Sequence, residues 1–277
     1  MPATSAAPSQ VQPATVVPRR EGRGAVLLVL RAAVLAGVFL LWYALTATGV
    51  LPTFFFGRPL VVLQRVGQWF ATGKIYHHLG ITLIETVLAF AVGTLLGVAA
   101  GLWLGLRPLA SSLLEPYIKA ANAMPRVILA PIFAVWFGLG IASKVALGVT
   151  LVFFIVFFNV YQGVREVSPT VLASVRMLGA SPRQLVRYVY LPSATSWVFS
   201  SLHTSVGMAF VGAVVGEYLG SAAGVGYLIL QAEGSFDIDT VFAGILVLTG
   251  FALLLDYVVT LVERRLLVWM PRAAGPE

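Results

Sequence analysis

MLGASPRQLVRYVYLP, residues 177–192, is a polar, arginine-bearing stretch set between two strongly apolar segments. With Arg165 and Arg176 just before it, it brings four arginines together between positions 165 and 187. Holding any one of them at the centre of a bilayer costs roughly 2.5–3.5 kcal/mol on insertion scales. If the flanking segments cross a membrane, this stretch therefore lies outside it. Its local signals are strong. Ser168-Pro169 offers an N-cap followed by proline at the first helical position. PTVLASVRML follows, and Gly179 suits a left-handed helix end. Ser181-Pro182-Arg183-Gln184 repeats the start signal in capping-box spacing. The spacing predicts two short helices joined at Gly179, the second (PRQLVRYVY) stopped by Leu191-Pro192. Val171, Val175 and Leu178 share one face of the first, and Leu185 and Val189 one face of the second. A pair of this size exceeds the 2–8 residues or so that commonly join two helices. Two readings stand on the residues alone: a docking surface for a partner, or a hairpin folded back on its own bundle.

The flanks do read as membrane spans. Of 277 residues, 59% are hydrophobic and only 10% charged, where a soluble domain carries about 25% charged residues. The mean hydropathy is +0.92. Roughly 20 apolar residues cross a bilayer, and six segments qualify: 25–46, 79–106, 112–137, 144–164, 197–219 and 240–262. The fold class is thus an all-α membrane protein with six transmembrane helices. The first apolar run is too long for the core of a signal peptide. The third contains Lys119, Arg126 and the prolines Pro116, Pro125 and Pro131, so it is expected to be broken and to face protein or water rather than lipid. Residues 59–71 (PLVVLQRVGQWFA) read as a short amphipathic helix on the outer surface.

Basic residues set the orientation. With the N-terminus inside, the cytoplasmic segments hold eleven arginines: Arg19, Arg20, Arg23, Arg107, Arg165, Arg176, Arg183, Arg187, Arg264, Arg265 and Arg272. The outer segments hold four basic residues, Arg58, Arg65, Lys74 and Lys144. This asymmetry puts both termini in the cytoplasm and accounts for the pI near 10 without nucleic acid. Residues 1–24 read as a disordered cytoplasmic tail, 25–265 as the transmembrane domain with its loop at 165–192, and 266–277 as a second cytoplasmic tail.

Other polar or patterned positions invite two readings each. Gly93, Gly97, Gly101 and Gly105 line one face of the second crossing, which suits close helix packing, whether fixed or sliding. Glu85 and Glu217 fall within crossings, where an ionisable group is costly and often functional, and both are candidates for the pathway or its outer gate. Asp256 is expected to pair with Arg264 and Arg265. His77, His78 and His203 form no metal-ligand pattern, the chain has no cysteine, and no catalytic pair stands out, so neither an enzyme nor a metal site is indicated.

The chain resembles the permease subunits of type I ABC importers. In that family a cytoplasmic loop carries the pattern Glu-Ala-Ala, a glycine a few residues on, and a closing Leu-Pro. Here the pattern falls on Ala173-Ser174-Val175, Gly179 and Leu191-Pro192. The similarity extends through EPYIKAANAMPRVILAPIFAVWFGLGIASK (115–144), NVYQGVREVSP (159–169), GVGYLI (224–229) and FDIDTVFAGIL (236–246), all resembling the sulfonate, taurine and nitrate branch. The resemblance implies that helices within 169–190 seat in a separate ATPase, with Ser174, Arg176, Gly179, Ala180, Ser181, Pro182 and Leu185 at the contact. It implies two ATPase subunits that bind ATP and Mg, a second permease copy in a homodimer, and an external solute-binding protein. It places the chain in the bacterial inner membrane as a non-catalytic subunit. The implied cargo is a small organic anion such as a sulfonate. One position departs from the pattern: Ala173 stands where the family has glutamate, so any ion pair made by that glutamate is absent here.

The chain offers no P-loop of its own: the only Gly-Lys, Gly73-Lys74, is followed by Ile75. A self-sufficient secondary transporter or channel would call for inverted repeats, which are not apparent, and would leave the helix pair without a use.

Overall fold

The computed structural model describes residues 23–266, and helix is the regular structure throughout them. The expected tail within 1–22, the segment 267–277, and Arg19, Arg20 and Arg272 lie outside the described residues. The chain divides into two compact units at Leu51–Pro52, where the sequence had suggested one domain from residue 25. The first unit contains α1 (Arg23–Ala47), an apolar helix long enough to span a bilayer. Near its end Thr46 returns its hydroxyl to the Trp42 and Tyr43 carbonyls at 3.0 Å.

The second unit begins with α2 (Thr53–Phe56) and α3 (Pro59–Ala71), the latter matching the predicted amphipathic segment. The long helices follow: α4 (Lys74–Gly105), α5 (Pro108–Ala123), a 3-10 turn at Arg126–Leu129, α6 (Ala130–Phe137) and α7 (Ile141–Arg165). Then come α8 (Pro169–Met177), α9 (Pro182–Leu185), a π turn at Val186–Tyr190, α10 (Leu191–Ser200), α11 (Leu202–Leu219), α12 (Val225–Gly234) and α13 (Ile238–Leu266). Among the described residues five helices are long and apolar enough to cross a membrane, and α5 with the turn and α6 passes the same test as one pair bent by 81°, the sixth when the pair is counted as a single span. The bend falls where expected. Met124 is extended (φ −68°, ψ 132°) because the ring of Pro125 excludes the helical conformation from the residue before it.

The helix α7 is central, packing against α4, α10, α11 and α6. Its contact with α4 repeats a single device. Gly93, Gly97, Gly101 and Gly105 face Val152, Val156, Val160 and Val164, which are buried and also recur every fourth residue. A Cβ on Gly97 would lie 2.9 Å from the Phe153 carbonyl oxygen and 2.9 Å from Val156 Cβ; one on Gly101 would lie 2.8 Å from the Phe157 carbonyl oxygen. The backbones therefore touch. Without a hydrophobic force between helices in lipid, such close packing is the main source of attraction. The stripe packs α4 against α7. On the other side of α7 the same logic brings α11 in, since a Cβ on Gly212 would lie 2.5 Å from Gly148 Cα.

The third crossing packs differently from the expectation. Its first half touches the rest of the unit little, with Leu109, Leu113 and Tyr117 exposed and only Ser111 buried. Ser111 shares a hydrogen bond with Tyr161 of α7. In a single chain this crossing is peripheral rather than interior. Two basic residues counted as topogenic also hold the fold: Arg58 donates to Asp239 at 2.6 Å, and Arg65 lies 3.4 Å from Asp237, tying the start of α3 to the start of α13.

The alternation of glycine and valine makes a sharp comparison possible. Gly97→Ala should destabilise the folded chain in detergent by about 1–3 kcal/mol, because backbone atoms cannot yield to the new methyl. Gly80→Ala, on the same helix with nothing within 4 Å of its Cβ position, should leave stability unchanged or slightly raised. Thermal unfolding of the two variants side by side checks this.

Candidate functional site

Two sites emerge, one at each end of the bundle. At one end, α8 and α9 form the hairpin read from the sequence. Gly179 ends α8 with φ +82°, and the bonds around it are those of a Schellman turn: Ala180 N–H donates to the Val175 carbonyl at 3.3 Å, and Gly179 N–H to that of Arg176 at 2.9 Å. Glycine is needed because this φ is strained for any residue with a Cβ. Ser181 and Gln184 form the capping box, Ser181 N–H donating to Gln184 Oε1 at 2.7 Å and Gln184 N–H to Ser181 Oγ at 3.4 Å.

The two halves of the hairpin have different surroundings. No residue of α8 is buried, and Met177 and Leu178 at its end are 83% and 86% exposed. Leu185 of α9 is 7% exposed. The structure thus removes Leu185 from the exposed face and makes it the anchor of the hairpin, while Ser174, Arg176, Gly179, Ser181 and Pro182 stay open and Ala180 is half-buried. Ala173, at the family's glutamate position, is exposed as well. A second departure follows downstream. Proline was expected to stop the second helix, yet α9 runs through the π turn directly into α10, with Pro192 near its start. The wider turn relieves the clash that proline causes in a helix. Helix α10 then packs on α7: Ser193 donates to the Gly163 carbonyl at 2.8 Å, and a Cβ on Gly163 would meet the Trp197 ring at 2.6 Å.

At the opposite end, Glu85 of α4 and Glu217 of α11 come together with Lys144 of α7. Glu85 is 1% and Glu217 0% exposed, so both are buried in the core of the unit and neither lines an open passage in this conformation. Glu217 accepts from Thr82 Oγ1 at 2.6 Å and from Gly226 N–H at 2.8 Å. Val225 N–H donates to Thr82 Oγ1 at 3.3 Å, and Gly224 N–H to His78 Nδ1 at 3.1 Å. The free amides at the start of α12 are thus satisfied by side chains of α4 and α11. Gly224 (φ +103°) has no room for more: its Cβ would lie 2.1 Å from Glu217 Cδ. Lys144 is buried and donates to the Leu139 carbonyl, while Glu85 Oε2 has no hydrogen-bond partner.

Thr82, Lys144, His78 and the Gly224–Gly226 amides were not read as site residues from the sequence. Lys144 was counted as an outer basic residue; its place in the apolar run of α7 was the available signal. Asp256 also differs from expectation. It faces His203 Nδ1 at 3.2 Å, with Glu263 2.8 Å from the other ring nitrogen. Seven residues on, Glu263 shares a helix face with Asp256, whereas Arg265 falls half a turn away.

The family described as binding-protein-dependent transport system inner membrane component matches residues 93–268. The chain is 30% identical over 234 residues to SsuC of Bacillus subtilis, named for aliphatic sulfonates transport, covering 84% of this chain and 85% of that one. It is 28% identical to the taurine transport system permease TauC of Escherichia coli, over 85% and 87%. It is 29% identical to the riboflavin transport system permease RibX of Chloroflexus aurantiacus, over 82% and 85%. The fold matches a chain of the MetNI methionine ABC transporter in an inward-facing conformation, with TM-score 0.60 and 19% identity over 72% of this chain and 96% of that chain.

The cap on α12 yields an expectation. Glu217→Ala strands the Thr82 hydroxyl and the Gly226 amide in a buried site, and should cost about 2–4 kcal/mol. Glu85→Gln removes a carboxylate whose Oε2 is already unpartnered, and should cost less. Melting temperatures of the two purified variants, read against the unsubstituted chain, give the order.

Proposed function

The chain belongs to the family of binding-protein-dependent transport system inner membrane components, the permeases of ABC importers, and on that premise we propose that a separate ATPase drives it through the 169–190 helix pair. In this reading the permease is the membrane subunit and does no chemistry itself. Two ATPase subunits bind ATP and Mg, a second permease copy completes a homodimer, and an external binding protein delivers the solute. Closure of the ATPases moves the hairpins and rocks the permeases between inward-facing and outward-facing states.

The observation that carries this reading is the exposure of α8. A helix with no fully buried residue, held by a Schellman turn and a capping box, keeps Leu172 and Val175 half-covered and leaves its apolar end at Met177 and Leu178 open. Arg176, Met177, Leu178 and Gly179 lead that surface, and Leu185 fixes it to the bundle. The charge asymmetry of the sequence supports a cytoplasmic position for the hairpin and both termini, in a bacterial inner membrane. A small organic anion such as a sulfonate is the favoured cargo, supported by the names of SsuC and TauC. RibX shows that permeases of this similarity are also named for other solutes.

Gly179→Asp tests the docking role. No atom lies within 4 Å of the Cβ position, so the change strains one turn, by about 1–2 kcal/mol, and plants a charge on the exposed face. The variant should reach the membrane at normal abundance, lose its ATPase on co-purification, and lose ATP-driven uptake in cells. Normal transport with the ATPase bound would overturn the assignment.

A further inference from the structure

Among the described residues Arg126 has no acid to pair with. It follows the break in the third crossing and lies over Phe154, its Cζ 4.4 Å from the ring centroid. Phe154 sits near the middle of α7, about 17–20 Å from either end at 1.5 Å per residue. The guanidinium is therefore held at mid-depth, where an ionisable group is costly and marks a pathway by default. Its terminal nitrogen donates to Asn122, to the backbone carbonyl at 2.9 Å and to the side-chain oxygen. Its Nε is buried with no acceptor. The nearest acid in sequence, Glu115, is taken by Lys119 at 2.6 Å, and among the described residues no ion pair includes Arg126.

Phe154 also lines a cavity of about 250 Å³ whose walls are almost wholly apolar, among them Trp103, Leu114, Tyr117, Ile118 and Phe153. A half-buried cation thus shares one aromatic ring with an apolar groove that is open at Trp103 and Tyr117. A guanidinium recognises sulfonate and carboxylate oxygens through paired, charge-assisted hydrogen bonds. Lipid headgroup phosphates do not fit the position, since they lie at the membrane surface, half a bilayer away.

We propose that Arg126 is the anion-contacting residue of the translocation path, taking the head of a small organic sulfonate or carboxylate while its apolar part enters the cavity beside Phe154. The assignment rests on the importer reading and adds the residue that selects charge. Selection follows from the pairing: a neutral solute of the same shape leaves the guanidinium unpaired, a cation is repelled by it, and only an anion removes the cost of holding it there.

The test is a calorimetric titration of the full-length chain in phosphatidylcholine nanodiscs, with benzenesulfonate and its neutral relative benzenesulfonamide as probes. The unsubstituted chain should bind benzenesulfonate at least about tenfold more tightly than benzenesulfonamide. Arg126→Gln should weaken benzenesulfonate about 10- to 100-fold and leave the sulfonamide unchanged, while Arg126→Lys keeps part of the preference. Trp103→Ala should weaken both probes alike. Should Arg126→Gln fail to fold, the lysine and Trp103 variants still decide the matter. The proposal is overturned by an unsubstituted chain that shows no preference for the sulfonate, or by a preference that survives Arg126→Gln. It is equally overturned if that variant loses its second copy while binding is unaltered, which would give the guanidinium to a carboxylate across the dimer. The importer reading fails separately, if the same preparation takes up no ATPase. Arg126-dependent binding without an ATPase would sink that reading and leave the anion contact at Arg126 standing without its place in an importer.

Discussion

The absence of side chains along one face of α4 governs the rest of the structure. Four glycines let its backbone lie against that of α7, and four valines of α7 close over them. Valine is stiff at χ1, so the contact has little freedom to slide or re-pack. It fixes the inner helix pair as one body. To that body α11 is joined through Gly148 and Gly212, and α10 through Gly163 and Trp197. Each of these joints again places backbone or ring where a Cβ would have stood. The two ends of the molecule take their positions from this body, the hairpin by direct continuation of α7 and the buried carboxyl cluster by convergence of α4, α7 and α11.

What was legible in the sequence was local. The hairpin could be read because its signals lie within a few residues of the bonds they make: Ser181 caps Gln184, and Gly179 turns the end of α8. The break at Met124–Pro125 was legible for the same reason. The glycine stripe was visible too, but its partner was not, because valines at a spacing of four are common in so apolar a chain. Long-range pairings stayed hidden. Glu85, Glu217 and Lys144 lie on three helices, and nothing in their neighbourhoods says that they meet. Asp256 was assigned to arginines near it in sequence, and its contact with His203, on another helix, was not foreseen. Leu191-Pro192 was read as a stop because proline usually is one; the π turn before it changes that outcome.

The two ends use polarity in opposite ways. At the far end the amides of Gly224, Val225 and Gly226 are matched by side-chain acceptors from α4 and α11, which ties α12 to those helices. At the hairpin end the polar groups are satisfied within the turn itself, and α8 gives its surface to the surroundings. The third crossing belongs to neither. Joined lightly to α7 and broken at its middle, it is the part of the second unit with most apolar surface left uncovered, as suits a membrane subunit of a larger assembly.

The π turn at Val186–Tyr190 carries one residue beyond what an α-helix of the same length would hold. The wider turn absorbs that surplus, so α10 keeps the phase it would have after an uninterrupted α-helix. Deleting a single residue from 186–190 would let the segment close as an ordinary α turn and leave Trp197 and Ala194 against Gly163, whereas the same loss from a regular helix with no slack would turn them away by about 100°. The π turn is therefore a place where the chain tolerates a change of one residue in length, because the slack is taken up locally.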